Sequence, residues 1–336
     1  MLYAITLKYK YNFMYFTNKF SIQIIIIIIL IIMNMFMNNK MFLWMSLEIS
    51  TMSFISMTIM SKSYNASLIY FIISFISSTI MFMGLLFYPS MNLNLLILIS
   101  ILIKIAMFPF NYWLNMMSKS LNYMNLGILM TLMKYIPLNI LHLLNDMNQF
   151  ILPVVLASLI ISPIMTINKY SLKLILSYSS IHQTSMMVMI MYMNFYMFIS
   201  YFMLYTTITM SLMNMLNKMN SKLKYEFIMD KKMKIMFFFM MISYSYFPPM
   251  TTFIMKWSII ENMMIMNNQF MLITIMVMLS SFIMIWSYLN FMNNNIYNYN
   301  SMNKMFMNKS KMKGKGELFM MWMLLLSSLT YMYFNF

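Results

Sequence analysis

Four ionisable side chains in this 336-residue sequence stand inside apolar runs: Glu48, Lys104, Lys134 and Lys256. A charge at the centre of a lipid-facing helix costs at least ~2.5 kcal/mol on insertion scales. Four such groups therefore read as paired charges or as steps of an ion pathway. The chemistry open to them is proton transfer. Burial disfavours a charged amine and a nearby carboxylate restores it. Moving Glu48 toward or away from Lys104 would then switch the lysine between holding and releasing a proton. His182 and Gln183 follow the polar run Tyr178-Ser179-Ser180. They suit either an interhelical hydrogen-bond cluster or a relay link between lysines. His142 lies eight residues beyond Lys134 and is a weaker candidate. Charges at span ends, such as Lys173 and Lys234, fit snorkelling or static pairing better. Glu226, Asp230 and Glu317 sit among lysines and balance them, and Asp146 and Glu261 read as solvated loop charges.

The elements that must position these groups are apolar helices. Runs bounded by Asn, Lys, Ser and Pro place spans at 21–37, 41–60, 67–88, 91–110, 122–145, 150–167, 171–192, 194–216, 234–260, 268–290 and 318–335. Lysine positions test this set. With alternating passage, all but four of the 22 lysines fall on the side of the N-terminus. Lys40 lies opposite, and Lys104, Lys134 and Lys256 lie within spans. The positive-inside rule makes the lysine-rich side the matrix. Residues 1–20 mimic the start of a signal peptide, but the following run is too long and lacks a small-residue cleavage site. It reads as a span after an N-terminal extension.

Two spans contain proline. Span four ends Lys104-Ile105-Ala106-Met107-Phe108-Pro109-Phe110, and span nine contains Phe247-Pro248-Pro249-Met250. Proline removes a backbone donor and clashes with the preceding turn. Broken helices in corresponding positions of two halves mark inverted-repeat transporters. The halves here are 21–145 and 150–290, five spans each, with the fourth broken. An odd span number inverts the second copy. A basic matrix loop, 291–317, and a C-terminal helix, 318–336, complete an all-α polytopic chain of about eleven transmembrane helices.

Composition narrows the class. The chain is 62% hydrophobic and 8% charged, with mean hydropathy +0.75. Soluble domains carry about 25% charge, so this chain needs the lipid bilayer. Cysteine is absent, which excludes disulfides, thiolate ligation of an iron–sulfur cluster and a cysteine nucleophile. Only two histidines exist, too few for a multi-histidine metal site. Lys313-Gly314-Lys315-Gly316 lacks the spacing of a nucleotide loop. The net charge of +16 lies in gaps between spans, which argues against nucleic acid. Arginine is absent and methionine reaches 55. Residues of A/T-rich codons dominate, and methionine becomes this common when ATA is read as Met, as in animal mitochondria. That genetic argument points to the inner mitochondrial membrane. The methionine-rich stretches read as lipid-facing or packing surface, not as copper sites.

Several segments resemble one family. Trp44-Met45-Ser46-Leu47-Glu48-Ile49, followed by Ser53-Phe54-Ile55, resembles the W-x-G-L-E-I-N…S-F-I-P segment of the subunit 2 family of NADH–ubiquinone oxidoreductase. The run from Lys104 to Trp113 resembles that family's K-L-G-x-x-P-F-H-x-W broken helix. Lys134 with Pro137 resembles its lysine–proline span. Tyr178-Ser179-Ser180-Ile181 resembles Y-S-S-I, and Phe247 to Trp257 resembles L-P-P-F-x-G-F-x-P-K-W. The resemblances are ordered and cover roughly 44–257. The chain departs at Ala106, Tyr246 and Thr252, which stand where the family has glycine, and at Asn111, which replaces a histidine. Gln183 occupies the family's histidine position after Y-S-S-I, with His182 just before it.

The resemblance implies the antiporter-like fold, in its eleven-helix animal form. It implies a core membrane-arm subunit of respiratory complex I, beside other membrane-arm subunits, with proton translocation coupled to NADH oxidation. NAD, FMN, iron–sulfur clusters and ubiquinone would belong to partner subunits, with no cofactor in this chain. It makes Glu48–Lys104 the charge pair, Lys134 the central relay and Lys256 the lysine of the second half-channel; His182 stands as a relay candidate on its polar run alone, beside the family's histidine position at Gln183. Two rivals stand beside this reading. One is a free-standing proton/cation antiporter, against which the mitochondrial codon usage argues. The other is a structural subunit whose charges only lock helices.

Overall fold

The computed structural model describes residues 22–37, 39–86, 94–144, 148–167, 169, 171–223, 231–245, 251–266 and 271–302. The N-terminal extension, Pro248-Pro249, the lysine-rich stretch 303–317 and the C-terminal span lie outside these residues. Among the described residues the structure is helical, with no strand. Two compact units form: one of residues 1–106 and 110–149, the other of residues 107–109 and 150–336.

The first unit holds α1 (Ile22–Phe36), α2 (Lys40–Met60), α3 (Tyr64–Leu86), α4 (Asn94–Ile105), α5 (Tyr112–Ser120), α6 (Tyr123–Met130) and α7 (Leu132–Leu143). Its helices are inverted relative to a soluble bundle. Serines line the interior: Ser46, Ser50 and Ser53 on α2, and Ser67, Ser74, Ser77 and Ser78 on α3 are buried. Met45, Ile49 and Met52 on α2, and Phe71, Ile72, Phe75 and Ile76 on α3, are exposed. In lipid, burial of apolar surface gives no drive to associate, so close packing at small residues holds helices together. Each buried serine hydroxyl also donates to a carbonyl one turn back, as Ser50 does to Leu47 at 2.8 Å, which satisfies it within its own helix. Gly84 marks a close approach. A Cβ there would lie 2.7 Å from Cγ1 of Ile97 on α4.

Polar side chains stitch the unit. Asn139 Nδ2 of α7 donates to the Asn34 carbonyl of α1 at 2.8 Å, and Asn125 Nδ2 of α6 donates to Ser61 Oγ at 2.8 Å. The α2–α3 turn is closed by Ser63 N–H to the Thr58 carbonyl at 3.1 Å and Lys62 N–H to the Ile59 carbonyl at 2.9 Å. Lys62 takes the left-handed conformation, φ 60, that this type of helix end requires.

Two helices differ from the sequence expectation. Span four does not end at Phe110. After the break it resumes as α5, which buries Trp113, Leu114, Asn115, Met117 and Ser118. Span five is not continuous. It breaks at Thr131, where φ −113 and ψ −84 depart from helical values. The Thr131 hydroxyl donates to the Gly127 carbonyl at 2.7 Å, and its N–H bonds the same carbonyl at 3.1 Å.

The second unit holds α8 (Asn148–Thr166), α9 (Leu172–Met193), α10 (Phe195–Leu223), α11 (Lys231–Tyr244), α12 (Thr251–Met266) and α13 (Met271–Met302). Helix α9 packs on α10, α12 and α13 and is buried without a gap from Ile175 to Met191. That enclosure is why it can carry serines, His182 and Gln183 at membrane depth. Helix α13 continues to Met302, so the first part of the stretch read as the 291–317 loop is helical. Glu261, read as a loop charge, sits on α12, exposed, and accepts a hydrogen bond from Trp257 Nε1. Among the described residues, five helical segments are long and apolar enough to cross a membrane, one of them α6 and α7 taken together over Tyr123–Leu143.

Candidate functional site

In the first unit the break in α4 presents Lys104. Proline at 109 has no N–H to offer the turn before it, and the helix stops at Ile105. Ala106 turns into the left-handed region, φ 64, and the Phe108–Pro109 peptide bond is cis. The Ile103 carbonyl, in the last turn, is bonded twice: by Ala106 N–H at 3.2 Å and by Trp113 Nε1 at 3.0 Å. Trp113 thus ties the second half of the broken helix back to the first.

Lys104 Nζ lies 3.1 Å from Glu48 Oε1 on α2, with 6% of the lysine and 25% of the glutamate side chain exposed. Tyr70 on α3 is close enough to feel the Glu48 charge, and its ring packs on Phe54 and Trp113. Lys134 is 3% exposed. It lies between two interruptions of its helix: Thr131 on one side and Pro137 on the other. Pro137 leaves the Met133 carbonyl without a backbone donor four residues on. Lys104 and Lys134 border one cavity of about 10 Å³, with Thr51, Tyr70 and Trp113 also lining it. That volume suits about one water molecule, and a water there could hand a proton between the two amines.

In the second unit Lys256 on α12 is 3% exposed and His182 on α9 is fully buried. They are near enough to act on each other electrostatically. His182 Nε2 lies 3.0 Å from Ser280 Oγ on α13. The Ser280 hydroxyl already donates to the Val277 carbonyl at 2.8 Å. Its oxygen is therefore the acceptor, His182 donates from Nε2, and Nδ1 is the nitrogen that could take up a proton. Gln183 turns elsewhere, and its Oε1 accepts a hydrogen bond from the Tyr201 hydroxyl of α10.

Sequence reasoning missed a set of buried hydroxyls around these groups. Tyr201, Tyr205, Tyr244 and Tyr288 are all no more than 5% exposed. Their signal was available: tyrosine favours the membrane interface, and a mid-span tyrosine calls for a partner. The Thr131 interruption beside Lys134 was also missed, since β-branched threonine inside an apolar run looks helical. His142 lies near the end of α7, partly buried. Among the described residues, no three His, Cys, Asp or Glu side chains come together as a metal site would need.

Residues 87–283 match the profile of the family described as NADH:quinone oxidoreductase/Mrp antiporter, transmembrane. NADH-ubiquinone oxidoreductase chain 2 of Rhipicephalus sanguineus is 34% identical over 293 residues, covering 82% of this chain and 91% of its own. The protein of the same name from Anopheles gambiae is 30% identical over 249 residues, covering 68% and 72%. Among solved structures, a chain of respiratory complex I from Thermus thermophilus superposes with a TM-score of 0.71 at 16% identity, covering 82% of this chain and 70% of that one. A chain of the Mrp complex from Dietzia sp. superposes with a TM-score of 0.67 at 14% identity, covering 75% of this chain. This chain spans 56% of that Mrp chain's length. At these identities the two structures speak to the fold alone.

Proposed function

The chain belongs to the NADH-ubiquinone oxidoreductase chain 2 family, and from that premise we propose that it is a core membrane-arm subunit of respiratory complex I in the mitochondrial inner membrane. There it couples NADH-to-ubiquinone electron transfer to proton translocation. Its place is among other membrane-arm subunits, with its N-terminus in the matrix. The redox groups, NAD, FMN, iron–sulfur clusters and ubiquinone, belong to partner subunits, and a chain without cysteine has no thiolate to hold a cluster. The two halves, 21–145 and 150–290, are inverted repeats, each with a broken helix at its fourth span.

Glu48, Lys104 and Lys134 form one proton-handling group, and Lys256 with His182 forms the other. The observation that carries this reading is the shared cavity: two buried lysines border one water-sized space, and a carboxylate holds the first at 3.1 Å. A shift of Glu48 away from Lys104 would release a proton into that space. Moving one charge uphill across a membrane takes ~2.3 kcal/mol per 100 mV, and the electron transfer of partner subunits supplies it.

The buried charges, Lys134 among them, equally suit fixed struts that only lock helices together. Substituting Lys134→Met separates the two. Normal assembly with lost pumping supports the relay. Lost assembly, with pumping per NADH unchanged in whatever complex forms, supports the strut.

A further inference from the structure

One turn from Glu48, the first unit holds a polar group that the lysine pair does not use. Trp44 on α2 packs its ring against Phe82 of α3, with centroids 5.0 Å apart. Its Nε1–H is buried and meets no hydrogen-bond acceptor among the described residues. A buried indole N–H usually finds a partner, and a buried donor left unbonded is costly. Glu48 stands four residues on. Residues four apart on a helix are neighbours on one face. Side chains also lean toward the helix N-terminus, so the Glu48 side chain leans over the turn that carries Trp44.

The same spacing is joined elsewhere in this chain. On α12, Trp257 Nε1 donates to Oε1 of Glu261, also four residues on. A tryptophan and a glutamate in this order on one helix can therefore meet. On α2 the carboxylate is instead held by Lys104, at 3.1 Å through Oε1, and a quarter of the glutamate side chain is exposed, which leaves it room to turn. Direction matters here. Thr51, three residues beyond Glu48, borders the cavity shared by Lys104 and Lys134. Trp44 lies ~10 Å from Thr51 along α2 at ~1.5 Å per residue. A carboxylate that turns to Trp44 moves away from the cavity and leaves the Lys104 amine beside it.

Resting on the proton-translocating role proposed above, we propose that Trp44 is a positioning residue whose Nε1–H is the second seat of the Glu48 carboxylate, taken up when Glu48 leaves Lys104. Proton release from Lys104 requires that departure, and Trp44 gives the anion a donor to leave for. Hydrogen bonds to a charged acceptor are among the stronger kinds, so the displaced carboxylate is not left bare at membrane depth. Glu48 stays ionised and the indole keeps its proton. The proton that moves is one on Lys104: its N–H bond breaks and one forms on the Lys134 amine, across the water-sized cavity. Return of the carboxylate to Lys104 favours the charged amine again, and with it uptake of the next proton. Two seats, each with its own donor, make Glu48 a switch with two discrete positions.

The test compares Trp44→Phe with Trp44→Tyr in the intact complex. Both keep a ring against Phe82, and the tyrosine adds a hydroxyl that can donate to the carboxylate. Protons pumped per NADH are measured in sealed inner-membrane vesicles, beside the amount of assembled complex, with Lys134→Met in parallel. The expected result is normal assembly, at least a twofold fall in protons per NADH for Trp44→Phe and for Lys134→Met, and a smaller fall for Trp44→Tyr. Equal falls in the two Trp44 variants would assign the effect to ring shape and overturn the seat. A fall with Lys134→Met and none with Trp44→Phe would overturn it too, and leave the translocating role standing. No fall in any variant would overturn both. Should the Trp44 variants lower assembly, difference infrared spectra of the unaltered complex decide. The carboxylate band that Glu48→Gln removes should shift when NADH is added, and a band that stays fixed would sink the proposal.

Discussion

Replacing Glu48 with glutamine tests the first proton-handling group most directly. The two side chains are nearly isosteric, so α2 keeps its packing and only the charge is lost. At 3.1 Å and an effective dielectric constant of ~20, the lost attraction is about 5 kcal/mol. Breaking a buried ion pair at one partner generally costs about 3–5 kcal/mol. Glu48 is a quarter exposed while Lys104 is enclosed, which places this case toward the lower figure. Even about 3 kcal/mol corresponds to roughly a hundredfold change in an equilibrium. The assay is protons pumped per NADH oxidised in sealed inner-membrane vesicles, with assembled complex quantified on a native gel. Glu48→Gln should assemble and pump fewer protons per NADH. Glu48→Asp keeps the charge about one bond further away and should lose less. A Glu48→Gln complex that assembles fully and pumps at the unaltered ratio would refute the reasoning. So would equal losses in the two variants.

Three further outcomes follow from the packing. Gly84→Ala drives a Cβ to 2.7 Å from Ile97 Cγ1 and 3.3 Å from the Ile97 nitrogen. Overpacking of this kind costs about 1–3 kcal/mol, so the yield of assembled complex should fall, and adding Ile97→Ala should recover part of it. Undiminished yield in the single variant would mean α3 and α4 are further apart. Ala106→Gly relieves a left-handed residue, φ 64, whose cost is about 1–2 kcal/mol. The extracted complex should resist heating better by thermal inactivation, and a lower midpoint counts against that backbone. Ser280→Ala removes the acceptor at His182 Nε2, a loss worth about 1–3 kcal/mol in a buried site. Pumping should decline there and hold in Ser280→Thr. Identical behaviour of the two variants would remove Ser280 from the account.

Much of this molecule is legible in one dimension because lipid imposes one-dimensional rules. A spanning helix satisfies its own backbone, so hydropathy and length reveal it, and α2 and α3 lie within a few residues of the predicted spans. Buried charge is expensive, so Glu48, Lys104, Lys134 and Lys256 stand out against apolar neighbours without any structure. Proline leaves a helix short of a donor, so the break after Lys104 could be read from Pro109. Other features are properties of neighbourhood. Nothing in the sequence says that Lys104 and Lys134 share one cavity, since that depends on how α4 and α7 approach. The return of the chain as α5 depends on Trp113 reaching the Ile103 carbonyl. The departure of Thr131 from helical backbone angles carries no mark in the sequence, since hydroxyls such as Thr209 make the same bond to a carbonyl four residues back within an unbroken helix. His182 and Gln183 are adjacent in sequence, yet one meets Ser280 on α13 and the other Tyr201 on α10, because successive residues on a helix point about 100° apart. Composition and spacing determined which residues are too costly to be incidental. Only helix packing, by choosing the side chains that border one enclosed space, decided which of them can exchange a proton.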